Sequence, residues 1–145
     1  MIRVALLVGA FAIGAGSLLA AIPPLSKEQL QSDSTLIVVG RVARVTTSTK
    51  TLGSGDEDTI FHVEIEVADV EKGDAKLGEN LKADTWKPGK RQQGWAGPQG
   101  QNVTPAAGQL VRCYLRGSEA EGYTFLTPNG LDLLKDAPPA ATPQK

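Results

Sequence analysis

The chain has 145 residues, a formal charge of −1 and one cysteine. That length supports one domain, and the near-neutral balance argues neither for a nucleic-acid partner nor for an acidic interaction tail. A single thiol excludes an internal disulfide, so the apolar core alone must hold the domain together.

Met1-Ile2-Arg3 gives a short positive start, and Val4 to Ala21 is apolar or small throughout. This pattern predicts a signal peptide over residues 1–21, with small residues at its cleavage end and Pro23-Pro24 stopping the helix behind it. Gly9, Gly14 and Gly16 weaken the run as a permanent anchor. The expectation is therefore export to a periplasmic or extracellular space, or a membrane tether if the segment is not cut. The remaining chain divides into a single β domain over 22–136 and a Pro-rich disordered tail over 137–145.

Ser26 and Gln29 have capping-box spacing, and Leu25 and Leu30 have staple spacing, so a short helix is expected to end near Asp33. Leu36 to Thr47 reads as a long first strand, bent at Gly40. Thr46 to Thr59 is polar and acidic and predicts a solvated loop. Ile60 to Val70 alternates, with Phe61, Val63, Ile65 and Val67 on one face and His62, Glu64 and Glu66 on the other. The step from Val67 to Val70 indicates a bulge near Asp69. Further strands are expected over Asn80–Trp86, Gln109–Arg116 and Tyr123–Thr127. Leu131 to Lys135 is a helical turn or a last strand. Five short strands with a bent first one predict a mainly β fold, a small five-stranded OB-like barrel with a short N-terminal helix. An open sandwich is the alternative.

Residues 86–108 form a 23-residue connection without periodicity, holding both tryptophans, five glycines and three prolines. Long loops inside compact domains are usually functional or disordered, and disordered segments are poor in aromatics. As a contact surface, Trp86 and Trp95 would stack on a flat ligand while Lys87, Lys90 and Arg91 meet anionic groups, which suits a glycan or a single-stranded polyanion. As a lid, both indoles would fold back over the barrel end.

Other chemistry finds little support. His62 is the only histidine, and nothing in the sequence brings a serine or Cys113 to it. Cys113 lies in an apolar alternation and is expected to be buried, on the opposite side from His62. Glu64 and Glu66 read as a solvated strand face. Asp56-Glu57-Asp58 lacks the spacing of a calcium loop. Asn102-Val103-Thr104 matches a glycosylation sequon, with Pro105 behind it. No catalytic residue, metal site or cofactor is expected, and no specific nucleic-acid role.

The succession LIVVGRVARV, FHVEIEVADVEKGD, GENL, GQLVRCYLRG and GYTFLTPNG resembles exported bacterial proteins of unknown function. Their layout is similar to the OB fold of netrin-like domains and tissue inhibitors of metalloproteinases. It spans about residues 25–131 and implies the barrel. Those inhibitors act through an N-terminal cysteine and carry several disulfides; this chain has neither, so protease inhibition does not carry over. The resulting expectation is a non-enzymatic exported binding module with loop 86–108 as its contact surface. A small envelope enzyme or enzyme inhibitor using the same loop, and a structural envelope protein, are the alternatives.

Overall fold

The structure, a computed structural model, describes residues 22–95 and 97–135. The expected signal peptide and Pro-rich tail lie outside the described residues. Among those described, no helix is long and apolar enough to cross a membrane.

Helix α1 spans Lys27–Asp33. Ser26 Oγ accepts from the Gln29 amide at 3.1 Å, and the Gln29 side chain accepts from the Ser26 amide at 2.9 Å. Both donors would otherwise be orphaned, so the capping box fixes where the helix begins. Ser34 ends it by donating to the Leu30 carbonyl at 2.6 Å. Leu25 and Leu30 pack with Ile37, Tyr114 and Leu126, which seats the helix on the outside of the sheet.

Six strands follow: β1 (Leu36–Thr51), β2 (Glu57–Lys72), β3 (Asn80–Pro88), β4 (Leu110–Ser118), β5 (Gly122–Phe125) and β6 (Leu131–Leu133). The sheet order is β1-β2-β3-β5-β4, and β1 pairs again with β4, closing a five-stranded OB-like barrel. The β3–β5 pair is parallel, matching Ala83 with Tyr123 and Asp84 with Thr124. β6 adds to β4 on the edge that β5 uses, beyond the end of β5.

Closure depends on the bend in β1. Residues Ile37 to Arg41 pair with both β2 and β4, so one strand serves both halves of the barrel. Gly40 sits at a register shift, opposite Val67 on one side and Val111 on the other. A Cβ there would run into the Glu66 carbonyl oxygen and the Ile65 side chain. Glycine is required because the neighbouring backbone occupies the space a side chain needs. The expected bulge on β2 falls at Ala68, which the register skips between Asp69 and Val67; Ala43 makes a further bulge on β1.

The alternation read from the sequence holds inside the ring. Leu36, Val38, Val42, Val63, Ile65, Val67, Leu81, Ala83, Val111, Cys113, Leu115, Phe125 and Leu131 form one core. Thr85 continues the inward row of β3, and its hydroxyl is buried with no hydrogen-bond partner.

One expected loop is corrected. Residues 46–59 continue the two strands as a hairpin arm, and only the turn between Thr51 and Glu57 is non-strand. The Leu52 amide donates to the Asp56 carbonyl at 2.8 Å to close it. The polar, glycine-containing composition of this stretch suits a loop, yet β-branched threonine packs well on a pleated surface and β2 supplies every rung of the ladder. Leu131–Leu133 resolves as a strand, not a helical turn. The acid-rich stretch 51–84 and the carboxylate-free basic stretch 85–118 mix in space: Arg112 grips the Glu71 carboxylate through Nε and Nη2, each at 2.9 Å.

Candidate functional site

The 23-residue connection is fastened along its length. Trp86 to Pro88 belong to β3. The Gly89 amide donates to Glu57 O, and the Glu57 amide donates to Lys90 O, both at 2.8 Å, which extends the ladder past the strand end. The Gln92 amide donates to the buried Asp56 carboxylate at 3.1 Å. Farther on, Gln101 is fully buried; its amide donates to Trp86 O at 2.8 Å. Its side-chain amide spans the Pro128 carbonyl and the Leu131 amide at 2.7 and 2.8 Å. Gly100, at φ +66°, passes against the Trp86 carbonyl, where a side chain has no room. Satisfied polar groups at this density mark an ordered segment.

These anchors decide what the five sequence-predicted contact residues do. Arg91 donates to the Asp58 carboxylate and to Glu57 O, and its side chain is only 10% exposed against 14% for Asp58. Trp95 lies under the Arg91 guanidinium, 4.5 Å from carbon to ring centroid, a cation–π stack. Arg91 and Trp95 are therefore bound to each other and to β2. Lys87 donates to Asn102 O at 3.3 Å and to Thr104 Oγ1 at 3.2 Å, which ties the strand to the sequon segment. Lys90 is exposed, and its carbonyl is part of the ladder.

Trp86 is placed differently. It follows Asp84 on the outward row of β3 and pairs across with Ile60 of β2. Beside it runs a groove of about 610 Å³, lined by Trp86, Ile60, Leu126, Asp33, Asp84 and Arg116 among others. The groove exists because β3 and β5 pair over only two positions and then part. Its walls combine an indole, a phenyl ring and three aliphatic side chains with two carboxylates and one guanidinium.

The same outward face carries an arrangement that sequence reading missed. Ser48 Oγ lies 2.8 Å from His62 Nε2, and His62 Nδ1 lies 2.8 Å from Asp84 Oδ1. A carboxylate only accepts, so Nδ1 carries the proton and Nε2 presents its lone pair to the serine hydroxyl. The three residues come from three adjacent strands: Thr46 pairs with His62 and His62 with Asp84, with Ser48 one outward position beyond Thr46. His62 and Asp84 side chains are 44% and 49% exposed. Nothing in the sequence brings a serine to this histidine; the pairing of the strands does. Only the hairpin register could have revealed it, and that register is offset by the Ala43 bulge.

Of the remaining residues, Cys113 is buried inside the barrel, away from His62, and burial pushes its thiol well above the ordinary range. Glu64 accepts from Arg44 at 2.6 Å, and this bond holds its carboxyl below the usual glutamate value. Asp56 and Asp58 are engaged by Gln92 and Arg91, and the described residues contain no cluster of metal-ligating side chains. No family model matches the chain, and neither curated proteins nor solved structures give a significant match.

Proposed function

We propose that this protein is an exported binding module whose ligand is a neutral or weakly charged glycan, held in the groove beside Trp86. The position of Trp86, on the outward row of β3 over a groove walled by Asp33, Asp84 and Arg116, carries the reading. A pyranose has an apolar face that stacks on an indole and a rim of hydroxyls that both donate and accept. Carboxylates accept from such hydroxyls and a guanidinium donates to them. Export rests on Arg3 and the apolar run Val4–Ala21.

A polyanion fits less well than the sequence suggested. Two carboxylates face the groove, Arg91 is neutralised by Asp58, and Lys87 is turned to the sequon segment. Among the described residues, no side-chain contact engages Lys90, unlike Lys87 and Arg91. The contact surface accordingly shifts from the loop to its first residue and the strands beside it.

The test is retention of the full chain on immobilised neutral oligosaccharides and on a polyanion control. Trp86→Ala is expected to weaken glycan retention about tenfold, the loss of one aromatic stack worth about 1.5 kcal/mol. Trp95→Ala should leave the groove unchanged. Absence of retention by the parent, or equal retention by the Trp86 variant, would refute the glycan reading. Stronger retention on the polyanion would do the same.

A further inference from the structure

We propose that Ser48, His62 and Asp84 form a nucleophile, a general base and a positioning carboxylate, and that Ser48 accepts acyl groups from small carboxylic esters. The inference shares Asp84 and the Ile60–Trp86 strip with the groove described above, but it rests on the Ser48–His62–Asp84 contacts and not on a glycan being bound there.

The sequence of contacts is the one nucleophilic serine chemistry requires. A serine hydroxyl is a weak nucleophile until a base removes its proton as it attacks. His62 Nε2 is at hydrogen-bond distance, 2.8 Å, and is the nitrogen left unprotonated because Asp84 holds Nδ1–H at 2.8 Å. Asp84 touches no reacting atom; it selects the tautomer and steadies the imidazolium that forms. The carboxylate gives the arrangement its meaning: by holding one ring N–H it leaves the lone pair of the other nitrogen toward the serine.

The surroundings suggest the size of the substrate. Beside the imidazole lies a shallow pocket of about 200 Å³, lined by Thr46, His62, Glu64, Lys82 and Asp84. Val63 completes the lining; the pocket adjoins the base, not Ser48 itself, and has room for a small polar acyl group. On the other side, Ser48 pairs with Ile60, which pairs with Trp86, so an apolar strip lies across the strands where a flat alcohol portion can rest. Thr46 and Lys50 are the next residues on either side of Ser48 along the same face of β1.

The reaction balances with water. Ser48 Oγ bonds to the ester carbon while its proton passes to Nε2. The C–O bond to the alcohol breaks, and the alcohol leaves with that proton. Water then attacks the acyl-serine with His62 as base, releasing the carboxylic acid and restoring Ser48.

A fluorophosphonate probe tests the first half directly, since it forms a P–O bond to an activated serine and expels fluoride. The full chain is treated at neutral pH, and the modified residue is located by peptide mass. The expected result is a single adduct on Ser48, lost in Ser48→Ala and slowed on the order of 100-fold in His62→Gln. Ser48→Ala should likewise abolish any burst of nitrophenol from p-nitrophenyl acetate. For Asp84 the readout is spectroscopic. With only one histidine in the chain, its two 15N resonances report the tautomer without ambiguity. The parent should show a protonated Nδ1; Asp84→Asn should shift the proton toward Nε2 and slow labelling, with circular dichroism unchanged. No adduct, an adduct on another serine, or equal labelling in His62→Gln overturns the proposal. A parent histidine protonated on Nε2 alone overturns it as well.

Discussion

Replacing Arg91 with alanine removes three things together: the ion pair with Asp58, the bond to Glu57 O, and the cation stacked on Trp95. The pair is mostly withdrawn from water, with side chains 10% and 14% exposed. Breaking a buried pair by deleting one member costs about 3–5 kcal/mol, chiefly because the survivor is left uncompensated. The residual exposure of both groups lets water reach Asp58 in the variant, which favours the lower end, about 3 kcal/mol. For roughly 110 ordered residues the unfolding entropy corresponds to about 4 °C per kcal/mol, so Tm should fall by about 12 °C. Urea unfolding followed by circular dichroism, on the parent, Arg91→Ala, Asp58→Ala and the double variant, measures the pair itself. The double variant should be about 2 kcal/mol more stable than the sum of the single effects implies. A loss below 1 kcal/mol, or strict additivity, would refute the claim that Arg91 is a fastener and would return it to the candidate ligand contacts. Arg91→Lys should recover only part of the loss, because one ammonium cannot reach a carboxylate and a carbonyl while lying flat on an indole.

Cys113 should resist aromatic disulfide reagents in the native protein and react at once in urea; rapid native labelling would place it outside the barrel. Its raised folded value also has a pH consequence. The stabilising effect of the neutral buried thiol is complete below the unfolded value of about 8.5 and declines above it, by up to about 1.4 kcal/mol per pH unit. Cys113→Ala should remove that alkaline slope from the urea midpoints while lowering stability at neutral pH. Gly40→Ala should destabilise by about 3 kcal/mol or more, since the new methyl meets backbone of β2 that cannot move without opening the ring; a fully stable variant with parental circular dichroism would contradict the closure described for β1.

Local signals were legible in the sequence wherever a residue's neighbours in the chain decide its role. The capping box at Ser26 and Gln29, the inward row from Phe61 to Val67, and the bend at Gly40 all depend on spacing alone. Burial of Cys113 followed from its alternation with Val111 and Leu115. The hairpin arm was hidden because Thr46 to Thr59 has the composition of a loop, and only pairing with β2 converts it to strand. Arg91 read as a free cation because its partner Asp58 lies 33 positions earlier. The Ser48–His62–Asp84 set is the extreme case. Each member is an ordinary outward residue on its own strand, and a shift of register by one would turn His62 toward a different neighbour. The extra residue at Ala43 sets that register, and no composition signal announces it.

Strand β4 is bonded along both edges, to β1 on one side and to β5 and β6 on the other. The arm of β1 beyond Arg44 has β2 on one side only. Deuterium should therefore enter the molecule at the hairpin tip and reach the amides of Val111 to Leu115 last. The patch holding Ser48 sits at the yielding end of that gradient, and the walls of the groove reach back toward its rigid end, so a guest lodged across both would slow exchange in the arm without touching it at the tip.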